Sequence, residues 1–195
     1  MDEGYIKFKC NWIKGAPCPK HQIEKINAWR DRLYQLGLIG AYPNGIGFGN
    51  ISIRSDGQTF VITGSATGNF KRLDEFHYVL VTEYDLMQNS LTCSGPIKAS
   101  SESLSHAVIY ESSPETKAVI HIHSMEKWKK YIHKFPTTKT DVLYGTPEMA
   151  NEIERLFRET DVPEKKIIIM GGHEEGIITF GKTLDEAGKL LLDLL

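Results

Sequence analysis

Cysteine is scarce. The chain has 195 residues and only three cysteines, Cys10, Cys18 and Cys93. An odd number cannot all pair within one chain, and three are too few for a disulfide scaffold. Cys10 and Cys18 also stand too far apart for a zinc-knuckle pair. A reducing, cytoplasmic setting is therefore expected. Long apolar runs are missing too. Ile167-Ile168-Ile169-Met170 is typical of the longest, far short of the roughly 20 residues a membrane helix needs. The amino terminus carries Asp2 and Glu3 with no apolar block behind a basic start, so no secretory leader is expected. Neither sign of charge dominates: Lys+Arg 23 against Asp+Glu 25 leaves a net charge of -2. That argues against an overall basic nucleic-acid binder. Repeats and low-complexity linkers are also absent. What is present is an ordinary globular balance, 41% hydrophobic and 25% charged, which predicts one domain over residues 1–195.

The stretch from Met1 to Lys20 has no clear period. After Pro19, Ile23, Ile26, Trp29, Leu33 and Leu36 recur at helical spacing, and Glu24, Lys25, Arg30 and Asp31 fill the other face. Gly37 and Gly40 are the stop signals. The turn Asn44-Gly45-Ile46-Gly47-Phe48-Gly49-Asn50 leads into an alternating strand at Ile51–Arg54. Asp56-Gly57 predicts a hairpin that returns through Thr59–Thr63. Further strands are expected at Tyr78–Thr82, Ser90–Cys93, Ala118–Ser124, Lys166–Met170 and Ile177–Phe180. Helices are expected over Ser101–Tyr110 (capped by Ser100 or Ser101), Met125–His133, from Thr146-Pro147 onward, and Leu184–Leu195. Hairpins mixed with helices in no regular alternation predict an α/β/α-layered or α+β domain around a largely antiparallel sheet.

The segment Ala118-Val119-Ile120-His121-Ile122-His123 bears most on chemistry. Side chains alternate on a strand, so His121 and His123 share one face while Ile120 and Ile122 share the other. Two imidazoles on a stiff strand can form a pair of metal ligands; taken alone, they read rather as histidines on the solvated face of an edge strand. His173, after a Gly171-Gly172 turn, and Glu102, at a helix start, add to the pattern. Together, three histidines and one carboxylate at element ends suit a divalent transition metal, most simply zinc. His106 lies one helical turn after Glu102 and reads as a surface residue or as part of the same pocket. His21, His77 and His133 read as surface residues. Glu174 and Glu175 flank His173 as ligand, outer partner or solvated side chains. The loops Gly49-Asn50 and Gly64-Ser65-Ala66-Thr67-Gly68, with Ser100 and Ser101, offer amides and hydroxyls to an anion, or are simply tight turns.

Taken in order, these segments resemble the class II aldolase/adducin family. The resemblance is carried by Gly49–Arg54, Phe60–Gly68, Lys98-Ala99-Ser100-Ser101-Glu102, His106–Tyr110, Ala118–His123 and Gly171–Ile178, and it spans roughly residues 22–195. It implies a three-layer α/β/α fold and a cyclic homotetramer with sites between subunits. It implies metal ligands at His121, His123 and His173, and a catalytic glutamate at Glu102. Asn50, Thr67, Gly68, Ser100 and Ser101 would correspond to the phosphate-binding residues. The chain departs from the family at one informative point. Histidine usually stands directly before the glycine that opens the last strand, and here Glu175 precedes Gly176. Either a bulge restores His173 as ligand or Glu175 replaces it; neutral imidazole beside two others favours His173. The stretch from His123 to Gly145 is shorter than in the family's aldolases, which carry a proton-donating tyrosine there. Tyr131 and Tyr144 are the candidates.

The expected function is a zinc-dependent lyase that cleaves or forms a C–C bond in a small sugar phosphate through a metal-stabilised enediolate. The alternatives are an epimerase or dehydratase of a ketose phosphate on the same site, or a non-enzymatic adducin-like module. No membrane or nucleic-acid partner is expected.

Overall fold

The structure, a computed structural model, describes residues 5–195; Asp2 and Glu3, which carried the reading of the amino terminus, lie outside the described residues. Its centre is an eight-stranded sheet in the order β1-β7-β6-β5-β4-β8-β10-β9. The strands are β1 (Lys9–Lys14), β4 (Asn50–Arg54), β5 (Phe60–Thr63), β6 (Tyr78–Asp85), β7 (Ser90–Gly95), β8 (Ala118–His123), β9 (Ile167–Ile169) and β10 (Gly176–Gly181). The short strands β2 (Gly40–Ala41) and β3 (Gly47–Phe48) pair by themselves. The sheet is mixed, which corrects the expectation of a largely antiparallel one: β1 runs parallel to β7, with Cys10 opposite Leu91 and Trp12 opposite Cys93. This strand comes from the segment without a clear period. It lies at the sheet edge: Lys9 and Asn11 are exposed while Cys10 and Trp12 pack half-buried on the core, and the alternation breaks at the exposed Ile13.

The helices are α1 (Lys20–Gln35), α2 (Ser103–Ser112), α3 (Met125–Tyr131), α4 (Pro147–Glu159), α5 (Val162–Lys165) and α6 (Leu184–Leu192). Strand alternation sorts the apolar residues into two clusters. Phe60, Ile62 and Val119 pack with Leu104, Val108 and Ile109 of α2 and with Met149, Ile153 and Leu156 of α4. Val61, Ile120, Ile122 and Ile177 pack with Ile26, Trp29 and Leu33 of α1 and with Ala187 and Leu191 of α6. Burying Ile120 and Ile122 favours this register by about 1.5–3 kcal/mol each. None of the helices among the described residues is long and apolar enough to cross a membrane.

Several helix assignments need adjustment. Leu36 lies just past the end of α1 and is exposed, because the chain has already turned at Gly37. Arg30, placed on the solvated face by periodicity, is 1% exposed. The cap of α2 is Glu102 rather than a serine side chain, and it makes no side-chain capping bond. Thr146 caps α4 as expected, its hydroxyl accepting from the Met149 amide.

Glu152 of α4 is a buried charge that ties down the loop 137–145. It accepts from the Lys139 amide at 3.1 Å and from Arg155 Nε and Nη2 at 3.0 and 2.9 Å, and Lys139 Nζ lies 3.0 Å away. These donors, Arg155 foremost and then Lys139, hold its carboxyl down at about 2. A carboxyl depressed in the folded state contributes stability above its unfolded pKa of about 4.3, and loses it as pH falls toward the folded value. Glu152→Gln is expected to lower stability by about 1–3 kcal/mol at pH 7. Urea titrations of both proteins should show the gap narrowing as pH drops below about 4; a gap constant down to acid pH would mean the charge contributes nothing.

Candidate metal and anion site

Strand β8 is interior, flanked by β4 and β10, and all of its residues are buried. Its histidines therefore do not belong to a solvated edge. The register places Asn50 opposite His121 across β4, and Gly176 opposite His123 across β10. His173 enters from the turn between β9 and β10. That turn is closed by the Gly176 amide donating to the His173 carbonyl at 2.9 Å and the His173 amide donating to the Met170 carbonyl at 3.2 Å. Gly172 can only be glycine here, because a Cβ would stand 1.8 Å from the Val142 carbonyl oxygen. The loop held by Glu152 thus braces the backbone beside His173.

The three imidazoles converge. His121 Nε2 and His123 Nε2 are 3.1 Å apart, and His123 Nε2 and His173 Nε2 are 3.0 Å apart. Burial first, and then the neighbouring imidazoles, push His121 and His173 well below the ordinary histidine range. Four-coordinate zinc with bonds of about 2.0–2.1 Å separates its ligand atoms by about 3.3 Å, close to the spacing found. The residues present therefore fit a divalent cation, and the trio is the one such group of His, Cys, Asp or Glu among the described residues. Glu102 lies beside them, 2% exposed, with Oε1 3.7 Å from His173 Nε2 and Oε2 accepting from the Ser105 hydroxyl at 2.9 Å.

One cleft is lined by Asn50, Thr67, Gly68, Ser100, Ser101, Glu102 and His121 together. Every residue expected to face a phosphate is thus gathered next to the imidazoles. Two loops make this possible, joined where Gly64 bridges Ala99 and where the Ser65 amide donates to the Lys98 carbonyl. Gly68 sits against the β2–β3 ribbon so closely that a Cβ would meet the Gly40 carbonyl at 2.0 Å. Asn50 Oδ1 is buried without a hydrogen-bond partner, as suits a side chain whose partner is a ligand.

Some residues were misjudged from sequence. His106 is fully buried rather than on the helix surface; its Nδ1 lies 2.7 Å from Ser52 Oγ, and burial pushes its pKa down to about 3. His77 pairs with Asp74 in a capping box. Of the two tyrosine candidates, Tyr144 packs on His173 with ring centroids 4.6 Å apart, and Lys7 Nζ stands 3.9 Å over the Tyr144 ring. Tyr131 instead donates to the Leu194 carbonyl. Tyr42 carried no signal in the sequence beyond its turn, yet its hydroxyl lies 2.8 Å from His123 Nδ1 and donates to Glu175 Oε2 at 2.5 Å. Arg30 was also missed. It donates to the carbonyls of Thr67 and Lys71 at 3.2 and 3.0 Å, anchoring the second glycine loop to α1.

Residues 32–128 match the Class II Aldolase and Adducin N-terminal domain. The chain is 25% identical over 172 residues to the methylthioribulose-1-phosphate dehydratase of Leptospira biflexa serovar Patoc, covering 73% of this chain and 80% of that protein. Among solved structures, L-fuculose 1-phosphate aldolase superposes with a TM-score of 0.67 at 16% identity, over 91% of this chain and 83% of the other. A sugar-phosphate aldolase from Thermotoga maritima gives a TM-score of 0.64 at 19% identity, over 89% and 90%. These structures share the class II aldolase-like α/β fold with this chain.

Replacing Arg30 with methionine, which keeps much of the stem but leaves two carbonyls without their donor, is expected to cost about 1.5–3 kcal/mol. Hydrogen exchange should quicken at the amides of residues 64–71. Unchanged exchange there would separate the helix from the order of the loop.

Proposed function

From the match of residues 32–128 to the Class II Aldolase and Adducin N-terminal domain, we propose that the chain is a divalent-metal-dependent lyase acting on a small phosphorylated hydroxy-carbonyl compound, cleaving or forming a C–C bond. The observation that carries this reading is the trio of buried imidazoles beside a buried carboxylate, opening on a cleft of amides and hydroxyls. His121, His123 and His173 would hold the cation, zinc being the ion that three neutral imidazoles suit best. When bound, the cation would supply Lewis acidity toward the carbonyl and hydroxyl oxygens of the substrate.

Glu102 would move the proton. Ser105 fixes the plane of its carboxylate through Oε2, and Oε1 faces the imidazoles. Among the described residues, no lysine or arginine lines the adjoining cleft. A phosphate there would be held by the amides of the glycine loop and by Asn50, Thr67, Gly68, Ser100 and Ser101, as anions are held in backbone nests. That arrangement orients the substrate without a long flexible cation in the pocket. A cytoplasmic homotetramer completes the proposal.

A second reading, loss of water from a ketose phosphate, is favoured by the relative that is a dehydratase. Both reactions need charge stabilised on a carbonyl oxygen and a proton moved nearby, and they differ in their products. Cleavage yields two carbonyl fragments; dehydration keeps the carbon skeleton.

A panel of ketose phosphates, assayed for aldehyde release and for loss of water, is expected to give a turnover that a chelator abolishes and added zinc restores. Glu102→Gln should retain bound metal while losing about 10²–10⁴-fold in rate. A variant as fast as the parent would remove Glu102 from the chemistry. A purified protein that takes up less than one cation per chain after loading would instead favour the adducin-like module.

A further inference from the structure

We propose that Tyr42 and Glu175 form a positioning relay for His123, fixing which ring nitrogen carries the proton and thereby raising the affinity of the imidazole trio for its cation. The proposal rests on the metal reading above and concerns residues outside the ligand set. Glu175 Oε2 lies 3.6 Å from His123 Nδ1, too far for a direct bond, and the Tyr42 hydroxyl stands between them at 2.5 and 2.8 Å.

The protons can be placed by elimination. An ionised carboxylate can only accept, so the single phenolic proton of Tyr42 goes to Glu175. The phenolic oxygen is then an acceptor toward the ring, and His123 must carry its proton on Nδ1. Its Nε2 is left with a lone pair, and that atom faces both His121 and His173.

The surroundings hold the relay in place. Tyr42 opens the turn Tyr42-Pro43-Asn44-Gly45, closed by the Gly45 amide on the Tyr42 carbonyl at 2.8 Å. Its ring packs on Phe48 at 4.7 Å, and Phe48 stacks on His123 at 5.4 Å between centroids. Glu175 adopts a left-handed backbone, φ 72°, which disfavours a residue with a side chain. Its carbonyl is gripped by the Ser124 amide at 2.9 Å. A strained position occupied by glutamate rather than glycine or asparagine calls for a role of its side chain. The displacement of the third ligand to His173 supplies the opportunity, since the residue directly before Gly176 is then available to support a ligand.

The test uses the full chain and zinc, with dissociation constants from competition with a chromophoric chelator. Tyr42→Phe keeps the ring and removes only the hydroxyl; it should weaken zinc binding by about 10–100-fold. In the cation-free protein, the ring ¹⁵N shifts of His123 should move from the Nδ1-protonated tautomer to a mixture, a change that a merely structural role would not produce. Glu175→Gln should fall between the parent and Tyr42→Phe. The double variant should be no weaker than Tyr42→Phe alone within about twofold, as members of one chain of bonds are not additive. Circular dichroism and thermal unfolding show that each variant is folded. Binding by Tyr42→Phe within about twofold of the parent, or an unmoved His123 tautomer, would overturn the relay alone. A parent protein that binds no zinc would overturn the metal reading and the relay with it.

Discussion

Three imidazoles, with His123 Nε2 within hydrogen-bonding distance of the Nε2 of both His121 and His173 and all shut away from water, form an arrangement that proteins do not make for packing alone. Burial disfavours charging His121 and His173, and rings that present lone pairs to a common point repel unless something electropositive sits between them. The fold forces this convergence. An interior strand fixes two rings by its pleat, and a glycine turn with no room for side chains delivers the third. Glu102, Asn50, the serines before α2 and the second glycine loop are then assembled around a centre already set.

Buried charge serves here as a tether as well as for chemistry. Arg30 gives its guanidinium to loop carbonyls, so a helix on one side of the sheet holds the shape of the anion cleft. Glu152 does the corresponding work on the opposite side, catching the backbone of the loop that lies against the turn carrying His173. Both are expensive residues to bury, and both are repaid by charge-assisted hydrogen bonds. Apolar residues could fill the same volumes but could not specify where polar loop backbones come to rest.

Much of this was legible in the sequence. Alternation at Ile120-His121-Ile122-His123 assigned faces correctly because a pleat has a period of two regardless of context. The Asp56-Gly57 hairpin, the Thr146-Pro147 helix start and the glycine loops were readable because turn and cap chemistry is local. Other features were not, for identifiable reasons. Strand β1 alternates only from Lys9 to Trp12, and its parallel partner β7 lies far along the chain, so the mixed character of the sheet could not be foreseen. Arg30 and His106 were assigned to solvent by residue type, whereas distant segments supply their partners. Tyr42 reaches His123 only through sheet pairing 81 residues away in the chain, and no local pattern records that.

The pleat of β8 has one more consequence. Its isoleucines fill the side packed by α1 and α6, and its histidines fill the other, so a slip of one position against β4 or β10 would exchange them. Imidazoles would then be pressed into a dry aliphatic layer while isoleucines crowded the polar one, and neither layer could accommodate the error. Strand alignment and chemical competence are thereby checked by a single test, so a sheet assembled out of phase is unstable as well as inactive.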